Sequence, residues 1–232
     1  MRAVVLSGGL THDFPATTAC LADLLDAQGV TADVHTDVES AFAALPGAAL
    51  FVVNALRWTM TGATPDRYRV LADVEGRTVS PAAREALARH LAAGGGLLGM
   101  HTAAICFDDW PEWGDILGGA WVWGTSWHPQ IGPEISVRPV EHAADEHALT
   151  ADIDPFDLVD EVYSELDLRP DVEGLLTAVA PGTEGPARPL LWSREYGGGR
   201  VVYDALGHHP PSYEVPAHRE IVRRAIRWTT GR

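Results

Sequence analysis

Histidine residues follow several short apolar segments of this sequence, at the points where those segments end. His12 lies shortly after the first apolar segment, His101 ends a Leu-Leu-Gly-Met run, and His208 follows the apolar segment 201–205. Imidazole transfers protons near neutral pH, and its neutral ring is a common metal ligand. Two or three imidazoles with a carboxylate would form a Zn²⁺ or Fe²⁺ site that keeps an open coordination position. We therefore expect His12, His101 and His208 to share one crevice and to be the ligands of a divalent metal.

A structural role is the alternative for each of these histidines. A single histidine at a strand end is more often a hydrogen-bonded structural residue, and neither the HExxH nor the HxH spacing occurs in the chain. Three histidines at comparable positions favour a shared site, whereas the presence of a metal stays open at this point. Four further histidines lie in charged, surface-like surroundings, and a fifth fits a structural role. We expect solvated side chains for His35, His90, His142 and His218, and a structural one for His147.

The segment 160–163, Asp-Glu-Val-Tyr, places two carboxylates next to a phenol. Alternate residues of an extended segment share a face. Glu161 and Tyr163 would then point together toward the histidines, with Glu161 acting as a base or as a ligand. An exposed acidic edge is an equal alternative in a chain with 32 acidic residues. The candidate catalytic residues are accordingly His101, Glu161 and Tyr163.

Tryptophan is concentrated in one segment, at positions 110, 113, 121, 123 and 127. Clustered aromatic side chains are usually packed in a core or an interface. We expect such packing for Trp110 and Trp113. The segment that ends in His128 could instead provide a stacking wall for a sugar ring. The candidate substrate-binding residues are Trp121, Trp123, Trp127 and His128.

The composition limits the classes of partner. The net charge of −15 opposes phosphate groups, which disfavours nucleic acid and anionic membrane surfaces. No apolar stretch of about 18 residues occurs, and the N-terminal segment does not resemble a signal peptide. The two cysteines, Cys20 and Cys106, cannot form a disulfide framework and are interpreted as small buried residues. These features predict a cytoplasmic protein whose partners are neither nucleic acid nor a membrane, and they leave a homo-oligomer open.

The elements that must position these residues are short strands alternating with helices. Such βα units predict a parallel sheet, at whose carboxyl edge ligands bind. The segment 56–79 is predicted to be a long loop or lid. We find no linker and expect one domain over residues 1–232. The predicted strands are 3–7, 31–35, 49–53, 97–100, 131–140 and 175–180, with a hairpin of 189–193 and 200–205, and the main helices are 15–28, one starting at 80–81, and 216–230.

Four motifs carry a resemblance to a known family. They are Gly-Gly-Gly-Leu-Leu-Gly-Met-His-Thr-Ala at 94–103, Ile-Leu-Gly-Gly at 116–119, the segment 160–163, and the closing 199–208. Because these motifs occur in order across most of the chain, it resembles the ThuA-like (trehalose utilisation) family of the class I glutamine amidotransferase-like superfamily. The resemblance implies an α/β fold with a flavodoxin-like, doubly wound, mainly parallel sheet. His101 stands about where those amidotransferases carry a cysteine nucleophile, and an imidazole cannot form the glutamyl thioester. Glutaminase chemistry is therefore disfavoured.

The resemblance also implies a role in the catabolism of trehalose or a related sugar, including 3-keto sugars. A 3-keto group acidifies the neighbouring C–H bond, so a base and an electrophile could eliminate, hydrate or isomerise such a sugar. Glu161 or His101 could be the base, with a metal or His12 polarising the carbonyl. Two other functions stay open, a non-catalytic carbohydrate-binding or regulatory protein and an oligomer-forming partner that uses the tryptophans as an interface.

Overall fold

A nine-stranded sheet forms the centre of the molecule in a computed structural model that describes residues 1–141, 147–172 and 174–232. The strand order is β2-β1-β3-β4-β11-β10-β9-β6-β7, and β5 and β8 form a separate small pair. The strands are β1 (Arg2–Gly9), β2 (Thr31–His35), β3 (Leu50–Leu56), β4 (Gly96–Met100), β5 (Gly119–Ala120), β6 (Glu134–Pro139), β7 (Phe156–Val159), β8 (Asp167–Leu168), β9 (Gly174–Ala178), β10 (Arg188–Tyr196) and β11 (Gly199–Asp204). The strands from β2 to β11 in this order are parallel, and the strands beyond β11 extend the sheet in antiparallel pairs.

Helices cover the parallel part of the sheet. The first crossover, β1 to β2, and the second, β2 to β3, move in opposite directions, so right-handed connections place their helices on opposite faces. This is the doubly wound, flavodoxin-like α/β fold that was expected. The helices are α1 (Phe14–Asp26), α2 (Val38–Ala43), α3 (Asp66–Arg69), α4 (Ala72–Glu75), α5 (Pro81–Ala92), α6 (Glu112–Leu117), α7 (Pro210–Glu214) and α8 (Pro216–Thr229), with a 3₁₀ helix at His101–Ile105.

Local sequence explains where several elements begin. Ser80 precedes α5 and accepts a hydrogen bond from the backbone N–H of Ala83, as an N-cap serine does. Asp13 caps α1 in the same way through the N–H of Ala16. Strands β3 and β4 are buried along their whole length, which fits their continuous apolar sequence and their central place in the sheet. Across the described part of the chain, no helix is long and apolar enough to cross a bilayer.

The register of the parallel strands brings the histidines to one edge. Met100, the last residue of β4, pairs with Asp204, the last residue of β11. His101 therefore leaves the sheet beside Ala205, three residues before His208. Strand β1, which is separated from β4 by β3, is parallel to both and ends at Gly9, so the turn that carries His12 lies at the same edge.

Two of the predicted surface histidines are buried instead. His90 is only 7% exposed because it lies beneath the chain reversal that follows α5, where its Nε2 donates to the carbonyl of Gly96. His218 is fully buried against Asp204. The expectation of solvated side chains was wrong for both, while His142 lies outside the described residues. Trp110 and Trp113 are buried as expected.

Candidate active site

His101 is positioned by the turn that follows β4. Its backbone has a positive φ of 42°, and the 3₁₀ helix begins at this residue, so the imidazole stands at a strand-to-helix elbow. Its Nδ1 donates to the carbonyl of Ala205 at 2.7 Å, and its own carbonyl accepts from the hydroxyl of Tyr203 at 2.8 Å. Because Nδ1 carries the proton, the neutral ring directs the lone pair of Nε2 away from the sheet.

His12 and His208 approach that same nitrogen from two other loops. The Nε2 of His12 lies 3.2 Å from the Nε2 of His101, and the Nδ1 of His208 lies 3.3 Å from it. The Nδ1 of His12 lies 3.3 Å from the carbonyl of Leu10, so a proton on Nδ1 leaves its Nε2 as a lone pair. The two facing Nε2 atoms then bring two lone pairs together, which is favourable only with a proton or a cation between them.

Glu161 and Tyr163 complete the group. The Oε2 of Glu161 is 3.4 Å from both the Nε2 of His101 and the Nδ1 of His208, and its side chain is 6% exposed. The hydroxyl of Tyr163 lies 3.1 Å from the Nε2 of His101. The predicted sharing of a face by these two residues is therefore observed. Their catalytic roles stay predictions.

Burial and charge act on these groups in different directions. Desolvation, assisted by the neighbouring His101 and His208, lowers the pKa of His12 to about 3, so this ring is neutral near pH 7. Burial opposes protonation of His101, but the hydrogen bond with Glu161 and the charge of Asp160 outweigh it and raise its pKa. Burial would raise the pKa of Glu161, but hydrogen bonds with His101 and His208 lower it below the ordinary range. Burial, followed by the charge of Glu161, raises the pKa of Tyr163 well above that of a free phenol.

The four ligand-type side chains have a geometry suited to a small divalent cation. Their donor atoms all lie within 4.8 Å of one another. Donor atoms at the usual distance of about 2.1 Å around a tetrahedral Zn²⁺ are themselves separated by about 3.4 Å. The pairs His12–His101, His101–His208, His101–Glu161 and His208–Glu161 are separated by 3.2, 3.3, 3.4 and 3.4 Å. Backbone carbonyls fix the tautomers of His12 and His101, as they do for many metal-bound histidines.

A cavity of about 270 Å³ opens beside this cluster. The predicted wall residues Trp121, Trp123, Trp127 and His128 all line it, together with His12 and Tyr163. The Nε1 of Trp121 is shielded from solvent and has no hydrogen-bond partner among the described residues. The wall therefore presents Trp121 to the cavity through its ring, whereas the N–H group of this indole is not available to a ligand.

His128 links the cavity to the cluster. Its Nδ1 lies 3.2 Å from the Oε1 of Glu161 and 2.9 Å from the carbonyl of Pro129. Both neighbours are acceptors, so Nδ1 carries the proton and the Nε2 of the neutral ring is free to act as an acceptor. The side chain is 37% exposed. Glu161 thus contacts the histidine cluster through one oxygen and His128 through the other.

Some site residues were not singled out from the sequence. The segment 56–79 contains the two short helices α3 and α4, and it lines the cavity through Trp58, Arg67 and Tyr68. Trp58 stacks on Trp123 with ring centroids 5.8 Å apart, which joins this segment to the wall. The length of the segment 56–79, on which the prediction of a loop or lid was based, was the only sequence signal that pointed to a function for it. Asp160 is also at the site, as a buried acceptor of hydrogen bonds from the backbone.

The cysteines lie outside the cluster. Cys106 is buried, and desolvation raises the pKa of its thiol to about 12, which disfavours the reactive thiolate. Cys20 is only partly buried, because one side of α1 faces solvent there, so the expectation of a buried residue was wrong for it. His147 contacts the hydroxyl of Ser193 at 2.8 Å, in agreement with a structural role.

Comparisons with known proteins identify a family and a fold. The family model described as ThuA, trehalose utilisation, matches residues 2–229. No curated protein sequence matches the chain. Among solved structures, a ThuA-like protein from Parabacteroides merdae has a TM-score of 0.73 at 17% identity, over 99% of this chain and 90% of that one.

Two further structures give the same result for the fold. A ThuA-like protein from Bacteroides uniformis has a TM-score of 0.69 at 19% identity, covering 99% of this chain and 91% of that one. A protein from Salmonella typhimurium described as cytoplasmic has a TM-score of 0.61 at 15% identity, over 100% of this chain and 98% of that one. At such identities, the likeness establishes a shared fold and leaves the chemistry to be argued from the site.

Proposed function

We propose, from the premise that this chain belongs to the ThuA (trehalose utilisation) family, that it is a metal-assisted enzyme of carbohydrate catabolism. Its substrate would be trehalose or a related sugar in an oxidised, 3-keto form. The observation that carries the proposal is the convergence of three imidazole nitrogens and one carboxylate beside an aromatic-lined cavity. Proton transfer from the carbon next to the keto group would then lead to elimination or isomerisation, whereas addition of water to the polarised carbonyl would hydrate it.

The cation in this proposal is Zn²⁺ or Fe²⁺, held by His12, His101, Glu161 and His208. Imidazole and carboxylate together suit both ions. When bound, the cation supplies a Lewis acid that polarises a carbonyl oxygen. His101 has a single free ring nitrogen, so it can be a ligand or a base but not both. Its central position among the other three donors favours the ligand role.

His128 is the better candidate for the base. Its Nδ1 proton faces Glu161 and its Nε2 is free, in a side chain that lines the cavity. A carboxylate that orients a histidine and stabilises its protonated form is a common arrangement in general-base catalysis. The proton would pass from the carbon next to the keto group to the Nε2 of His128, while the electron pair moves toward the carbonyl oxygen.

Tyr163 would act as a hydrogen-bond donor to the substrate. Its hydroxyl lies 3.1 Å from the Nε2 of His101 and its phenol stays protonated near neutral pH, since burial raises its pKa. The lone pair of that Nε2 cannot accept from the phenol and bind a cation at once. With a cation in place, the phenol is available to donate to an oxygen of the sugar.

The wall of Trp121, Trp123 and Trp127 would bind the carbon face of the sugar ring. Aromatic rings pack well against apolar faces, and these three side chains line the same cavity as His128. A non-catalytic carbohydrate-binding protein would also use such a wall. The close approach of the histidines and Glu161 at one end of the cavity supports the enzyme, because binding a neutral sugar does not require four ligand-type side chains.

The test is turnover of 3-keto-glycosides by the purified protein, after metal removal and again after addition of Zn²⁺ or Fe²⁺. We expect product only with metal, and no product from the His128→Ala variant. The variant His35→Ala is the matched control, since it removes a histidine of strand β2 that neither lines the cavity nor belongs to the cluster. Binding of sugars without turnover, in the presence of either metal, would contradict the proposal and favour the carbohydrate-binding alternative.

A further inference from the structure

Asp160 is a buried carboxylate that contacts both segments carrying Glu161 and His208. Its side chain is 2% exposed. Its Oδ1 accepts from the backbone N–H of Glu161 at 2.8 Å and lies 3.4 Å from the N–H of His208. Its Oδ2 accepts from the N–H of Gly207 at 2.8 Å and from the hydroxyl of Ser212 at 2.5 Å.

Most of the hydrogen-bond donors to the carboxylate of Asp160 are backbone groups, which is unusual for a buried carboxylate. A buried carboxylate is usually matched by a cationic side chain or a metal. In the described part of the chain, Asp160 forms no ion pair with an arginine, and three of its four donors are backbone N–H groups. Two of these N–H groups belong to Glu161 and His208 themselves. A side chain that accepts hydrogen bonds from the backbone N–H groups of both residues restricts their positions directly.

Three separate parts of the fold meet at this carboxylate. Asp160 follows β7, the turn of Gly207 and His208 follows β11, and Ser212 belongs to α7. Gly207 has a φ of 103°, and a Cβ there would lie 2.5 Å from the hydroxyl of Tyr213. The turn is therefore open only to glycine, and its N–H is held toward Asp160.

We infer that Asp160 is the positioning residue of the site, which fixes the separation of Glu161 and His208 without contacting the substrate or the cation. This inference rests on the proposed function in so far as the two residues are metal ligands. The 3.4 Å between the Oε2 of Glu161 and the Nδ1 of His208 depends on segments that are far apart in sequence. The hydrogen bonds of Asp160 are the direct link between their main chains. Residues that orient ligands in this way typically change metal affinity about 10- to 100-fold when replaced.

Asp160→Asn is the variant that tests this inference. It keeps the size of the side chain but directs an NH₂ group at N–H donors, so one contact becomes repulsive. We expect Co²⁺, titrated as a spectroscopic probe, to bind about 10- to 100-fold more weakly and with an altered visible spectrum. Asp109→Asn is the matched control, because Asp109 pairs with Arg84 away from the cluster. Its Co²⁺ affinity should stay within about twofold of wild type.

A second measurement on metal-free protein separates the positioning role from the metal. The side-chain ¹⁵N signals of the histidines report their hydrogen bonding without any cation. We expect Asp160→Asn to shift the signals of His208 and His101 and to leave those of His35 and His90 in place. Wild-type protein that binds no Co²⁺ would contradict the proposed metal, and the shifts would still support the positioning role. Unchanged His208 signals in the folded variant would overturn the inference, as would a wild-type Co²⁺ affinity of that variant.

Discussion

Two buried histidine–carboxylate pairs in this molecule have nearly the same local geometry. His101 and Glu161 are 3.4 Å apart, and His218 and Asp204 are 3.1 Å apart. In each pair the histidine donates through Nδ1 to a backbone carbonyl and turns Nε2 toward the carboxylate. In each, the carboxylate outweighs the effect of burial and raises the pKa of the histidine.

The surroundings separate the two pairs. Beyond Asp204, no further partner of the Nε2 of His218 occurs among the residues that the structure describes, and both side chains are sealed from solvent. The Nε2 of His101 also meets His12, His208 and Tyr163. The His218–Asp204 pair is therefore complete in itself. The His101–Glu161 pair belongs to a cluster with more lone pairs than protons, which is the condition under which a cation is favourable.

Removing His101 should have the largest effect on function. The variant His101→Ala deletes the donor that contacts the other members of the cluster. We expect turnover of a keto-glycoside to fall roughly 10³-fold, since Lewis-acid stabilisation is worth several kcal/mol. Steady-state kinetics with added metal measure this. If the activity of this variant stayed within tenfold of wild type, the His101–Glu161 pair would be structural like the His218–Asp204 pair, and the proposed difference between the two pairs would be wrong.

Removing His218 should instead affect stability. His218→Ala leaves Asp204 buried without its partner, which typically costs about 3–5 kcal/mol in the free energy of unfolding. Urea denaturation of the metal-free protein gives this value. Metal stoichiometry in the folded variant should equal that of wild type. A loss of metal with unchanged stability would reverse the roles assigned to the two pairs.

Removing the hydroxyl of Tyr163, which contacts His101, should have a smaller effect on function. Tyr163→Phe removes one hydrogen-bond donor while keeping the buried ring. We expect kcat to fall roughly 10²-fold, with metal content unchanged. The comparison of kcat with metal content distinguishes a donor to the substrate from a residue that only supports His101. Loss of metal in this variant would favour the supporting role.

The aromatic wall should affect binding more than chemistry. Trp123→Ala removes a ring that lines the cavity and stacks on Trp58. One aromatic contact is worth about 1 kcal/mol, so KM should rise roughly fivefold at nearly constant kcat. Trp113→Phe, at a buried position outside the wall, is the control. An unchanged KM for Trp123→Ala would exclude the wall from substrate binding.

The buried pair of His218 and Asp204 should also make the stability of the protein depend on pH. Since the pKa of His218 is raised on folding, its contribution is fully present below the unfolded histidine pKa and is lost as pH rises through the folded value. We expect the stability difference between wild type and His218→Gln to shrink from pH 6 toward higher pH. Denaturation curves across this range test the sign. A difference that grows with pH would contradict protonation of His218 in the native state.

The sequence predicted the meeting of His12, His101 and His208 because strand ends of a parallel sheet share one edge. The alternation rule placed Glu161 and Tyr163 on the same side for a similar local reason. The burial of His218 and its pairing with Asp204 could not be predicted from such local rules. Arg219 and Glu220 follow it on α8 and suggest a surface, whereas its partner Asp204 lies across a turn in another element.

The hydrogen bonds of Asp160 could not be predicted from the sequence for the same reason. Its neighbours in sequence indicate an acidic edge, whereas its long-range donors lie in the turn after β11 and in α7, which only the folded chain brings near. The wall illustrates a third case. Trp121, Trp123 and Trp127 were predicted from local clustering, but the contribution of Trp58 depends on how the segment 56–79 folds back over the cavity.

The most direct test of this account is the metal content of the two paired-histidine variants. Wild type, His101→Ala and His218→Gln would be purified, loaded with Zn²⁺ or Fe²⁺, dialysed and measured by elemental analysis. The account predicts about one metal ion per chain in wild type and in folded His218→Gln, and none in His101→Ala. Equal metal content in wild type and His101→Ala, or none in any of the three after loading, would contradict it.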